Sequence, residues 1–397
     1  MELPYWLKKL VELLGYKELE KIVYGERLEP PEIEKLLTQT PLHVLGAIAD
    51  YYARLVKNNI GSYVVNIYIS YTNICSTACS FCAFYNPLGR NGGYVRSPEE
   101  IAKTVKWAWR QYRIREVHLV GGNNPDLDFD YYEKLIKAIK NAAPKVVLKG
   151  FTAEEIAFMS RVFGERIRSI LERFKELGLD ALSGGGAEIL DEEVHKIIAP
   201  KKPGPDEYLR VHEEAHKLGI KSNVTIMYGH IEKPINVARH LYRVARLEEK
   251  SPGFISFILV RFNPGNTPLA KTRLYRERVR KDGVYDARIT ATARLVLLGK
   301  INNIVSYWVA LGDKLAQALL TFGANDLGGT FYNESVISVV KTGKGLGKTP
   351  EELEYMLMLA GWTPAERDTF YNYYGRRGCN LQLPWLNAEQ NGVKMLM

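Results

Sequence analysis

Three of the chain's four cysteines stand in one short stretch, Cys75-Ser-Thr-Ala-Cys79-Ser-Phe-Cys82, directly after the apolar run 63–71. Three thiolates on one loop can hold three irons of a 4Fe-4S cluster, leaving the fourth iron open to an exogenous ligand. A structural zinc site is the competing chemistry. Zinc normally takes four protein ligands, and neither a His nor a Cys follows at a spacing that completes a recognised set. His118 is the nearest histidine, and Cys379 has no partner cysteine around it and reads as a free thiol.

A loop that carries such a group needs a scaffold. From residue 62 onward, β-branched runs alternate with amphipathic ones. Strands are predicted over 63–71, 116–122, 145–151, 180–188, 221–229, 254–262, 304–311 and 325–331, the last two in weaker units. Helices are predicted between them at 97–109, 129–142, 166–177, 206–218, 235–248, 287–298 and 313–321. Strand and helix alternating at this interval imply a parallel sheet with right-handed crossovers, and eight units imply closure. The expected fold is therefore α/β, a (β/α)8 TIM-type barrel over 61–335, with an open doubly wound sheet as the alternative. An N-terminal helical cap is expected over 1–60, including helices near 18–23, 31–37 and 41–57. A C-terminal helical extension is expected over 336–397, with helices at 351–360 and 364–374 and a polar arm beyond 382.

In such a barrel the chemistry belongs at the carboxyl ends of the strands. The cysteine loop falls after the first strand, Gly121-Gly122 after the second, Thr152 and Glu155 after the third, Glu188 after the fourth, and Gly229 to Glu232 after the fifth. Gly121 and Gly122 serve a strand-to-loop turn in any case. Glu188 follows three glycines and suits either ribose hydroxyls or a helix start favoured by the dipole. His230 is a candidate acid or base because imidazole titrates near neutrality; a core histidine is the alternative. His212 and His216 read as helix surface. Lys149, Arg261 and Lys314 lie in or beside strands and call for counter-charges, supplied by an anionic ligand or by a neighbouring Glu.

At 397 residues, with 46% apolar and 25% charged residues, the chain has the composition of a globular protein with a large core. The first residues lack a signal-peptide core and no run is long enough to span a membrane, so a cytoplasmic location is expected. Clustered cysteines with no disulfide framework fit a reducing interior. The net charge of +9 is spread along the chain, densest at 273–281 and 376–377, and no RNA-binding module accompanies it. It suits anionic small substrates as well as nucleic acid, and diffuse charge without a binding motif reads as a solvated surface, so no nucleic-acid partner is expected.

The cysteine spacing, with Phe84 two residues after the last cysteine, resembles the signature of radical S-adenosylmethionine (SAM) enzymes. The resemblance implies that SAM chelates the open iron and is cleaved on reduction to methionine and a 5′-deoxyadenosyl radical. It also implies SAM contacts at Phe84, Gly121, Gly122, Glu188, Thr225 and Gly229, the last two from a fifth-strand motif at 225–232. From about 41 to about 330 the chain resembles the branch that holds the futalosine-pathway enzymes of menaquinone biosynthesis and the deazaflavin FO synthases. Segments 120–132, 148–156, 222–232 and 307–317 are most similar to aminofutalosine synthase, whereas 184–188 is shared with dehypoxanthine futalosine cyclase. Asn123-Asn124, Ala199 and Asn263 depart from residues usual in that branch and bear on substrate identity. The implied reaction is a transfer in which SAM is a co-substrate. The adenosyl radical adds to the enolpyruvyl alkene of 3-[(1-carboxyvinyl)oxy]benzoate, the aryl group migrates, and a carboxylate is lost to give 6-amino-6-deoxyfutalosine. Candidate catalytic residues are Glu155, His230 and Arg261, and a low-potential electron donor such as flavodoxin or ferredoxin is implied. A cyclase, an FO-synthase-like enzyme, and a non-catalytic iron-sulfur or zinc protein are the alternatives.

Overall fold

The computed structural model describes residues 4–280, 282–334, 336 and 347–375. Ten parallel strands form one sheet: β1 (Ile60–Val64), β2 (Asn66–Ser70), β3 (Glu116–Val120), β4 (Val147–Thr152), β5 (Ala181–Ser183), β6 (Lys221–Tyr228), β7 (Phe254–Arg261), β8 (Ile304–Ser306), β9 (Asp326–Gly329) and β10 (Thr363–Arg367). The expected first strand is two strands interrupted at Val65, and the interruption closes the barrel. β1 pairs with β9, while β2 pairs with β3. The chain just after β9 returns to β2 through the bridge Ile67 to Tyr332. Eight strand positions thus run around a closed (β/α)8 TIM-type barrel, the arrangement read from the alternation and not an open sheet.

The helices between strands follow the predicted periodicity, because each buries one apolar stripe against the sheet. Helix Phe129–Ala142 buries Tyr132, Leu135, Ile136 and Ile139. Helix Pro98–Tyr112 opens on a capping box between Ser97 and Glu100. The N-terminal helices pack against the outside of the barrel: Pro30–Thr38 lies on Pro234–Lys250, and Leu42–Lys57 on Gly283–Val296. None of the helices among the described residues is long and apolar enough to cross a membrane.

Three expectations are corrected. Segment 364–374 is not a helix: β10 adds to the outer edge of β1 in register, Thr363 N–H donates to Asn59 O, and a turn follows. An unpaired strand edge next to the segment outweighs its weak helical signal. His212 and His216 are not on the surface; both are buried and share the Ser222 hydroxyl at 2.8 Å each. Helices Ala153–Phe163 and Glu192–Ile198 were absent from the sequence reading. Cys379, Arg376, Arg377 and the arm beyond 382 lie outside the described residues.

Candidate functional site

The three cysteines sit in a loop that the barrel holds from three sides. Ser76 N–H and its hydroxyl both donate to Asn123 O, beyond β3. Ser80 N–H and hydroxyl donate to Ile198 O, at the end of helix Glu192–Ile198. Ser80 O in turn accepts from Leu269 N–H. Gly122 N–H donates to Thr72 O, and a Cβ at Gly122 would collide with Ile74 O and stand 2.9 Å from Cys75 Cβ. Glycine is therefore required here by close approach of the cysteine loop. A Cβ at Gly121 would collide with the Tyr71 ring.

All three cysteines are free, Cys79 is buried, and all line a cavity of about 320 Å³ at the carboxyl end of the barrel. Burial pushes the Cys79 thiol up to about 12 and also raises Cys82. Such thiols are inert until a metal displaces their protons. Among the described residues no three His, Cys, Asp or Glu side chains converge closely enough to hold a single ion. Three sulfurs spaced around one cavity suit instead a polynuclear cluster in which each takes its own iron.

Of the candidates read from the sequence, Phe84, Gly121, Gly122, Glu155, Glu188, Thr225 and Arg261 line this cavity together with the cysteines. Gly229 and His230 do not. His230 is 1% exposed, its Nε2 lies 3.0 Å from Met227 O, and its Nδ1 lies 3.3 Å from Glu232. Glu232 also accepts the N–H groups of Gly229 and His230, so the turn is tied down on itself. Lys314 is exposed on its helix. Arg261 pairs with Asp286 at 3.3 Å, and Tyr228 donates to that same carboxylate.

Glu155 joins three strand ends. Its Oε2 accepts from Thr152 N–H at 2.7 Å, closing a capping box at the start of helix Ala153–Phe163. Its Oε1 accepts from the Tyr71 hydroxyl at 2.7 Å and Gly121 N–H at 3.0 Å. Burial pushes this carboxyl up to about 7 against those donors. Its neighbour Glu154 accepts from Asn123 Nδ2 at 2.7 Å, and burial raises it to about 7 despite Lys202 nearby.

Lys202 is the residue the sequence reading missed most completely. It lies in the loop after helix Glu192–Ile198 and reaches Glu188 at 2.5 Å, with its ammonium 5.3 Å from the Phe81 ring centroid. Burial opposes its charge, yet Glu188, Cys79 and Glu154 hold its pKa well above the ordinary lysine value. Glu188 itself has φ +49°, a left-handed conformation imposed on a non-glycine residue. Asn123, one of the departures from the family pattern, also donates to Thr77 inside the cysteine loop. The signal for Lys202 was only the basic pair after Pro200, which resembles any solvated charge run. The cavity thus combines three thiols, one cation beside them, two carboxyls poised near neutrality and Arg261 on its wall, an arrangement that can hold a cluster with a carboxylate-bearing ligand next to it.

Comparison with known proteins gives the same outline. The radical SAM superfamily model matches residues 69–241, and the CofH/MqnC C-terminal region matches 251–377. The chain is 36% identical over 357 residues to the aminodeoxyfutalosine synthase of Thermus thermophilus, covering 89% of this chain and 94% of that protein. It is 36% identical over 336 residues to 5-amino-6-(D-ribitylamino)uracil–L-tyrosine 4-hydroxyphenyl transferase 1 of Methanosarcina barkeri, covering 85% and 88%. Among solved structures, methylornithine synthase (PylB) superposes with a TM-score of 0.69 at 18% identity, covering 87% of this chain and 97% of that one. The FeFe-hydrogenase maturase HydG from Carboxydothermus hydrogenoformans superposes at 0.70 and 18% identity, covering 92% and 83%. At that identity the two structures bear on the fold alone.

Proposed function

Because the chain belongs to the radical SAM enzymes, in the family of the aminodeoxyfutalosine synthases and the ribitylaminouracil–tyrosine hydroxyphenyl transferases, we propose that it is an aminofutalosine synthase of menaquinone biosynthesis. Its substrates on this reading are SAM and 3-[(1-carboxyvinyl)oxy]benzoate. The observation that carries it is the match to the Thermus synthase, which spans nearly the whole of both chains.

When bound, a reduced 4Fe-4S cluster with SAM supplies the 5′-deoxyadenosyl radical. Cys75, Cys79 and Cys82 are the proposed iron ligands. Lys202, beside Cys79, offers its ammonium to the SAM carboxylate, and Glu188 offers its remaining oxygen to the ribose hydroxyls. Gly121 and Gly122 let the backbone approach the methionyl end. Arg261 on the cavity wall would receive the enolpyruvyl carboxylate and so orient the alkene within the cavity. Glu154 and Glu155, both held up to about 7 by burial, are the groups within the cavity suited to hold or release a proton near neutrality. A low-potential donor such as flavodoxin or ferredoxin supplies the electron, and an oxygen-sensitive cluster suits a reducing cytoplasm.

The hydroxyphenyl transferase reading has comparable identity behind it and is the second candidate. The two are separated by incubating reduced, reconstituted enzyme with SAM labelled at the adenosyl 5′ carbon. With the enolpyruvyl benzoate, the label is expected in an adenine-bearing product larger than 5′-deoxyadenosine, with one methionine per product. Label found only in 5′-deoxyadenosine would remove the synthase reading. Consumption of L-tyrosine with the ribitylaminouracil would install the transferase in its place.

A further inference from the structure

A second cavity of about 170 Å³ lies in the bore of the barrel and shares Tyr68, His118, Gly185, Thr225 and Val260 with the cavity of the cysteines. That is several times the ~30 Å³ that one water occupies in the liquid. Tyr68 on β2, His118 on β3 and Lys149 on β4 are partners in register, so their side chains form a single row across the inner face. The Tyr68 and His118 rings stack at 4.8 Å and 18°. The rest of the lining is mixed: Ile258, Val305 and Phe331 are apolar, Asn66, Asn223, Ser256 and Thr369 are polar, and Arg367 is already paired with Asp326.

The polar groups of this bore are satisfied unevenly. Glu116, one layer deeper, accepts from Lys149 at 2.8 Å, Asn66 at 3.0 Å and Thr369 at 2.8 Å, so both of its oxygens are engaged. Lys149 is 6% exposed and gives one of its three ammonium hydrogens to Glu116. His118 Nδ1 and Asn223 Oδ1 are buried with no hydrogen-bond partner. Orphaned buried polar atoms cost the fold free energy, so their retention calls for an explanation. A pair that served only to neutralise Glu116 would need neither the stacked rings nor the unused donors.

We propose that this bore is the subsite for the aromatic ring of the substrate, with the ring carboxylate received by Lys149 and His118. The inference rests on the reading above and adds where and how the aryl acid is recognised. The ring slides against the Tyr68–His118 stack, and its carboxylate meets the unsatisfied side of the Glu116–Lys149 pair. Burial, aided by Lys149, holds His118 down to about 3, so the imidazole is neutral and can donate one N–H without adding charge. Lys149 supplies the cation. The enolpyruvyl end then points up the bore, toward the cysteines and Lys202.

The test uses cluster-reconstituted, SAM-loaded, unreduced enzyme titrated calorimetrically with 3-[(1-carboxyvinyl)oxy]benzoate and with its ring carboxamide. Wild type should bind the acid at least tenfold more tightly than the carboxamide. Glu116→Gln combined with Lys149→Gln keeps a hydrogen-bonded neutral pair while removing the cation, and should erase that preference. His118→Phe keeps a stacked ring without the N–H and should shrink it severalfold, which decides the matter should the double variant not fold. Acid and carboxamide binding within twofold in wild type, binding of neither, or a preference unchanged in the variants overturns the proposal. The labelling experiment is independent of this one. Label transfer without acid preference sinks the subsite and leaves the synthase, whereas acid preference without label transfer does the reverse.

Discussion

Each cysteine of the 75–82 loop lines the same cavity, and on the proposed reading none can replace another, because each sulfur takes its own corner of a cluster. Alanine at Cys75, Cys79 or Cys82 should abolish both the brown colour of reconstituted protein and SAM cleavage, and Cys379→Ala should leave both intact. Loss of colour in the Cys379 variant alone would show the ligand assignment to be wrong. Lys202 interacts with Cys79 of that loop and is already paired with Glu188. Lys202→Met should weaken SAM binding by about 1.5 to 3 kcal/mol, the range for a charge-assisted hydrogen bond, with Lys202→Arg recovering part of it. Equilibrium dialysis of the unreduced, cluster-loaded protein reads this directly. An unchanged SAM dissociation constant would leave Lys202 as a partner for Glu188 and nothing more.

At the scale of elements, the site depends on how closely strand-end loops approach one another. The turn after β3 passes so near the cysteine loop that a single methyl at Gly122 meets backbone at Ile74. Gly122→Ala should therefore lower cluster occupancy while far-ultraviolet circular dichroism stays that of wild type, since the strain falls on a loop and not on the barrel. Full iron content in that variant would contradict the argument. β10 plays a different part. Arg367 reaches back from it to Asp326 on β9 with contacts of 2.6 and 2.8 Å, fully inside the protein. Arg367→Met leaves Asp326 charged and buried, and should cost about 3 to 5 kcal/mol in urea unfolding. A loss under 1 kcal/mol would mean that β10 is an ornament on the barrel edge.

Across the whole molecule, buried titratable groups set opposing slopes of stability with pH. His118 and His240 are held by burial down to about 3, against 6.5 when free. The unfolded chain binds more protons between those values, so their contribution is lost as pH falls from 6.5 to 3. Glu154 and Glu155 are held up to about 7, against 4.5 when free. In that window the folded state keeps protons that the unfolded chain releases, so stability falls as pH rises. Burial lowers His195, His212 and His216 as well, so between 4.5 and 6.5 the two sets oppose each other only in part and the slope should be shallower than below 4.5. Below 4.5 only the acid-sensitive groups remain. Burial works against the charge of Glu116, but Lys149 and its other partners hold it down to about 2, and it joins the histidines there. Stability of the cluster-free chain should then fall by about 1.4 kcal/mol per pH unit for each net proton. Urea midpoints measured from pH 3 to 8 check the shape, and a rise in midpoint on going from 4.5 to 3 would refute it.

The sequence by itself determined what depends on short-range pattern. Three cysteines within eight residues declared the cluster loop, and the change of apolar period from two to about four at each strand-to-helix junction declared the barrel and its order of elements. Phe84, Gly121, Gly122, Glu155, Glu188, Thr225 and Arg261 reached the cavity because strand ends face one way in a parallel barrel. His230 stands at such an end too, but the local turn through Glu232 folds it inward, a choice between two orientations that the pattern does not encode. Lys202 meets Cys79 across more than a hundred residues, and Tyr68, His118 and Lys149 form a row only because β2, β3 and β4 adopt one register. Segment 363–367 became a strand because an edge of β1 stood open beside it and Asp326 needed a buried counter-charge. Barrel closure and strand register decide which distant side chains become neighbours, and neither is written in any local stretch of residues.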